Sequence, residues 1–120
     1  MEQYKLGEME QKFADMIWAN EPVSSRALTE LCEAEFSWKR TTTYTMLKRL
    51  CDRGIFANNS GTVTALMSKA EFGAAQGEKF LKDAFNGSLP QFLAAFTRRK
   101  KLTTKEIADI QRLIDNHKEG

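Results

Sequence analysis

The chain has 120 residues, of which 42% are hydrophobic and 28% charged, with a formal net charge of +2. That suits one ordinary domain, or a small domain with an appendage, and excludes a fully disordered chain. No apolar run approaches the ~18–20 residues of a membrane span, and Met1–Leu6 offers no secretory apolar stretch, so a cytoplasmic protein without membrane insertion is expected.

Helical periodicity runs from Glu8 to Arg53. Phe13, Ala14, Ile17 and Trp18 share one face of a first helix. Asn20–Pro22 ends it, because proline disfavours helical geometry at Glu21. Ser24 is placed to cap a second helix, with Val23 and Leu28 as a hydrophobic staple and Ala27, Leu28, Leu31 and Cys32 as its apolar face. Phe36-Ser37 breaks the pattern. Ser37 is expected to cap a third helix from Trp38 to about Arg53, with Thr43, Leu47, Leu50 and Cys51 inward and Gly54 just past its end.

After Gly54 the period changes. Ile55–Asn58 and Thr62–Met67 read as short strands, joined by an Asn59-Ser60-Gly61 turn. Ser68 to Glu71 is a capping box that opens a helix carrying Phe72, Ala75, Phe80, Leu81, Ala84 and Phe85. Asn86-Gly87 stops it. Ser88 caps a short helix with Pro90 in its first turn and Phe92, Leu93 and Phe96 on its apolar face. Arg98–Lys101 is a basic hinge. Thr103 to Glu106 is a second capping box, leading a helix with Ile107, Ile110, Leu113 and Ile114.

Cys32 and Cys51 are the only cysteines and His117 the only histidine, so a zinc site lacks ligands and a nucleophile–histidine unit is not assembled. Both cysteines sit in apolar helical patterns and read as reduced, buried thiols. No glycine-rich phosphate loop is present. An enzyme is not expected, nor a cofactor or metal.

Three helices followed by a hairpin form a winged helix-turn-helix. The expected class is mainly α (α+β): a winged-helix DNA-binding domain over residues 1–67, then a helical dimerisation domain over 68–120. Three helices in the second part bury little surface alone. Yet five of the eight phenylalanines lie there: Phe72, Phe80, Phe85, Phe92 and Phe96. They either pack back on the first module or meet the same helices of a second chain. The second arrangement is preferred, with Ile107, Ile110, Leu113 and Ile114 contributing.

In such a module the third helix enters the major groove. Its outward face carries Arg40, Thr41, Tyr44, Thr45 and Lys48, with Thr42 at the edge and no acidic residue. Thr41, Thr42, Tyr44 and Thr45 are candidates for base contact; Lys39, Arg40 and Lys48 are candidates for phosphate. Basic faces are often merely solvated, but the run of threonines argues otherwise, since each costs a helix ~0.5 kcal/mol relative to alanine. Arg49 has two readings, phosphate contact or an ion pair with Glu10. Ser24 and Ser25 either cap the second helix or present its N-terminus to phosphate. The wing is uncharged, so Asn59 contributes only hydrogen bonds. Residues 1–67 carry eight basic and nine acidic side chains, residues 68–120 ten and seven. The charge that would meet a duplex is therefore local to the third helix.

The stretch from Thr42 to Ile55 resembles the recognition helix of the penicillinase-repressor family, a threonine-rich helix with Lys48, Arg49 and Leu50 leading to Gly54 and a wing. Glu10 with Ile17-Trp18 resembles the family's first helix, and Ser88–Phe96 with the last helix resembles its dimerisation segment. The resemblance implies a homodimeric, cytoplasmic repressor that binds a palindromic operator and controls β-lactam-resistance-type or related genes. It also implies a membrane sensor protease as partner, with cleavage at an Asn-Phe bond. The matching pair here is Ala95-Phe96. Thr41 stands where the family often has lysine and Tyr44 where it often has arginine, so a different operator sequence is expected. Residues 102–120 lack the cysteine cluster of the copper-responsive branch. A winged-helix protein-interaction module without DNA binding is the alternative, supported by the uncharged wing. A ligand-gated regulator has no marked polar pocket.

Overall fold

The computed structural model describes residues 5–119. Helix α1 (Glu8–Asn20) starts at Gly7, whose N–H donates to Glu10 Oε1 at 3.0 Å, and buries Phe13, Ala14 and Ile17. A two-residue strand, β1 (Val23–Ser24), precedes α2 (Ser25–Phe36). Ser24 caps α2 as expected: its Oγ accepts from the Ala27 N–H at 3.0 Å. Leu28, Thr29 and Cys32 are its buried residues, and Ala27 and Leu31 are half-buried at the edge of that face.

Ser37 acts differently from expectation. It adopts left-handed geometry (φ 58°) and ends α2, its N–H donating to the Glu33 carbonyl at 3.0 Å. Trp38 consequently lies between helices, and α3 (Arg40–Asp52) begins at Lys39 with no side-chain cap. The indole explains the shift. It packs at a tilt against Phe36 and Phe13, with ring centroids 4.9 and 5.5 Å away, and this aromatic packing outweighs a serine cap. Thr43, Leu47 and Leu50 turn inward on α3.

Past Gly54 the chain forms β2 (Phe56–Asn59) and β3 (Thr62–Ala65), paired antiparallel from Phe56↔Ala65 to Asn59↔Thr62. Ser60 and Gly61 both have positive φ, 52° and 92°, as a tight two-residue hairpin turn requires. β1 adds to the free edge of β3 through Val23↔Val63, giving the order β1-β3-β2. This third strand has no sequence signature, because two residues cannot display a period.

The chain divides into two compact units, Met1–Glu78 and Lys79–Gly120. The division falls inside α4 (Lys69–Phe85) rather than at the end of the wing, residue 67, where the order of elements read from sequence places it. Phe72 supplies the reason. It is 1% exposed and belongs to the core formed by Phe13, Ile17, Leu28, Leu47, Leu50, Ile55, Phe56 and Val63. Trp18 bridges it to Phe56, at 5.4 and 5.2 Å, and donates its indole N–H to the Met67 carbonyl at 3.0 Å. Phe72, assigned from sequence to dimerisation, thus completes the winged-helix core and has no surface left for a second chain.

The second unit contains the end of α4, then α5 (Leu89–Arg99) and α6 (Thr104–Glu119). Asn86 and Gly87 turn the chain with positive φ, and Ser88 Oγ caps α5 by accepting from the Gln91 N–H at 3.1 Å. Phe92 touches Phe80, Phe85 and Phe96 at centroid distances of 5.8, 5.6 and 5.7 Å. Neither α5 nor α6 has a fully buried residue. Phe80, Leu89, Phe96, Ile107, Leu113 and Ile114 are exposed large hydrophobics, while Phe85 and Ile110 are half-buried.

Candidate nucleic-acid interface

Three inward positions orient α3. With Thr43, Leu47 and Leu50 buried, the opposite face must carry Arg40, Thr41, Tyr44, Thr45 and Lys48, and all five are exposed, as are Lys39 and Thr42. The first turn has no acid. Thr45 is exposed, and its Oγ1 donates back to the Thr41 carbonyl at 2.9 Å, which orients the hydroxyl.

The cations on α3 are not equivalent. Lys48 Nζ sits 2.9 Å from Asp52 Oδ2, an exposed i,i+4 pair. Such a pair is worth about 0.3–0.5 kcal/mol and yields readily to a stronger anion. Arg49 Nη1 lies 3.9 Å from Glu10 Oε2 while its side chain stays half exposed, and Arg53 Nη2 approaches the same oxygen at 3.6 Å. Arg53, whose Nη1 also donates to the Lys5 carbonyl at 3.0 Å, holds α3 to the chain before α1. Arg53 is not among the residues that the sequence marks for a role here; its position at the helix end beside an acid of α1 is visible only in the fold. Lys39 and Arg40 have no ion pair among the described residues and stand open at the start of the helix.

Ser24 and Ser25 separate in role. Ser24 Oγ is engaged in capping, whereas Ser25 lies at a junction of three elements. Its N–H donates to the Gly61 carbonyl of the wing turn at 2.8 Å, and its Oγ lies 3.5 Å from the Tyr44 hydroxyl. A Cβ on Gly61 would come within 3.8 Å of that Oγ. The start of α2, the wing turn and the middle of α3 therefore meet at one surface. Asn58 Oδ1 accepts from the Gly61 N–H at 3.0 Å and shapes the turn; Asn59 is exposed at the last paired position of the hairpin.

The thiols lie away from this face. Both are free; Cys32 is buried and Cys51 half-buried. Burial pushes the Cys32 thiol above its ordinary range, partly opposed by the Thr43 hydroxyl beside it. Burial also raises Cys51, with the Asp52 carboxylate adding to the shift. Ala95 and Phe96 lie within α5, Ala95 half-buried and Phe96 packed at a tilt against Phe92. No helix among the described residues is long and apolar enough to cross a membrane.

A family model, the penicillinase repressor, matches residues 6–116. A penicillinase repressor of Bacillus licheniformis is 21% identical over 118 residues, covering 95% of this chain and 92% of that protein. The match spans the winged helix with its exposed α3 and the helical unit after it. The chain belongs to the penicillinase repressor family, and its role is that of a DNA-binding transcriptional repressor.

Proposed function

We propose that the repressor acts as a homodimer on a palindromic operator. Thr41, Thr42, Tyr44 and Thr45 contact bases, and Lys39, Arg40 and Lys48 contact phosphates. The observation that carries this reading is the acid-free outward face of α3, exposed from Lys39 to Lys48 with one compensating acid, Asp52, at its far end. Short hydroxyls and methyls approach base edges while cations engage the backbone. Ser25 and Asn59, beside the wing turn, add uncharged hydrogen bonds, and Arg49 positions α3 through Glu10.

Dimerisation follows from the second unit. Phe80, Phe96, Ile107, Leu113 and Ile114 are exposed and Phe85, Phe92 and Ile110 half-buried, an apolar surface of the kind an interface between copies covers. A second copy offers the matching face. The regulated genes are of the β-lactam-resistance or a related type, in a cytoplasmic setting, with a membrane sensor protease as the releasing partner. Cleavage at Ala95-Phe96 requires α5 to unwind first, because the bond lies within a helix.

The test is a gel-shift titration over salt on the promoter of the repressor's own gene. Each phosphate contact adds about 0.9 to the log–log slope, so a salt-independent affinity would rule out the phosphate assignments. Thr45→Ala is expected to change which operator variants bind, with discrimination reduced at the one base pair that its hydroxyl meets. Uniform weakening on all sequences would remove Thr45 from the base contacts.

A further inference from the structure

Ion pairing reduces the positive charge that the first unit can offer. Lys48 is held by Asp52, Arg49 and Arg53 face Glu10, Lys12 pairs with Glu8 and Lys69 with Asp15. Lys39 and Arg40 are the open cations of α3. Over residues 1–78 the first unit carries a net charge of −2, from nine basic and eleven acidic side chains.

The second unit distributes its charge differently. Lys79 is matched to Asp83, and Lys105 and Arg112 to Asp109, each on its own helix. Arg98, Arg99, Lys100 and Lys101 are consecutive and exposed, and none has a carboxylate within ion-pair distance among the described residues. Lys100 lies close enough to Glu106 to influence it, but that carboxylate is engaged by the Thr103 N–H at 2.9 Å. Arg98 and Arg99 occupy the last turn of α5, where a cation favours the helix dipole. Lys100 at the cap and Lys101 beyond it exceed what one helix end requires.

Four adjacent cations without counter-charges repel one another, and the repulsion is relieved by a ligand of closely spaced negative charge. Duplex DNA carries one charge per ~1.7 Å of axis, and this chain already engages it. We propose that Arg98–Lys101 is a second, sequence-independent contact to the phosphate backbone, adding salt-dependent affinity to the few phosphate contacts that α3 supplies. This inference rests on the DNA-binding role proposed for α3.

The experiment compares the full chain with a variant carrying Arg98→Gln, Arg99→Gln, Lys100→Gln and Lys101→Gln on operator and on random duplex, from about 50 to 200 mM salt. Binding to random duplex does not depend on spacing two half-sites, so it isolates the backbone interaction. The log–log slope is expected to fall by about one to four on both duplexes, at about 0.9 for each phosphate no longer neutralised, with operator preference unchanged. A charge-conserving variant, Arg98→Lys with Arg99→Lys, is expected to keep the parental slope. A parental slope in the glutamine variant overturns the proposal and assigns the run to another partner, such as an acidic protein surface. Weakening confined to the operator also overturns it. Failure of the parent chain to bind either duplex overturns the α3 reading as well, an outcome distinct from an unchanged slope in the variant alone.

Discussion

Phe72 is 1% exposed and Phe80 is 50% exposed, although both lie on α4. Phe72→Ala removes a ring packed on Trp18 and is expected to destabilise the first unit by about 3–5 kcal/mol, read as a lower urea midpoint by tryptophan fluorescence. Phe80→Ala is expected to leave that midpoint in place and to weaken self-association in sedimentation. Lys48 allows a similarly sharp test. Its partner Asp52 competes with any phosphate for the same ammonium. Asp52→Asn is expected to tighten DNA binding severalfold and to steepen its salt dependence, whereas Lys48→Ala lowers the slope by about 0.9. Equal affinities for Asp52→Asn and the parent would mean that Lys48 does not reach the backbone.

The helices depend on their first turns. Ser24→Ala removes the cap of α2 at the site where β1 and the wing turn meet, and a decrease of about 1 kcal/mol in thermal or urea stability is expected. The capping boxes of α4 and α6 give a pH signature. Glu71 accepts from the Ser68 N–H at 2.8 Å and Glu106 from the Thr103 N–H at 2.9 Å, and these hydrogen bonds hold both carboxyls below the ordinary range. A depressed carboxyl stabilises the fold above its unfolded pKa, about 4.3, and the contribution disappears as pH falls through the lower folded value. Far-UV circular dichroism should therefore show helix loss beginning below about pH 4. Glu71→Gln with Glu106→Gln should reduce that step; an identical acid transition would detach the boxes from it.

At the scale of the assembled repressor, geometry is the quantity to test. In the proposed homodimer, two α3 helices related by a two-fold axis are expected to reach half-sites about 34–36 Å apart, one helical turn of DNA. Inserting about 5 base pairs between the half-sites puts them on opposite faces of the duplex. Cooperative binding by the dimer should then disappear, while affinity for a single half-site persists. Operator affinity that tolerates the insertion would argue for monomers bound independently.

Local chemistry made much of this protein readable in advance. The caps at Ser24, Ser88 and both capping boxes, the turn at Ser60-Gly61 and the inward triplet Thr43, Leu47 and Leu50 follow from short-range hydrogen bonding and a 3.6-residue period. Long-range packing decided the rest. Trp38 settles among Phe13 and Phe36 and displaces the start of α3; Val23 finds Val63; Phe72 joins a core assembled from distant segments. None of these has a periodic signal, because each partner is set by the fold rather than by its neighbours in the chain. The same holds for charge. Sequence alone established that α3 is basic, but the tertiary structure determined that Glu10 faces Arg49 and Arg53 while Lys39 and Arg40 remain open, because an ion pair between α1 and α3 exists only once the helices pack.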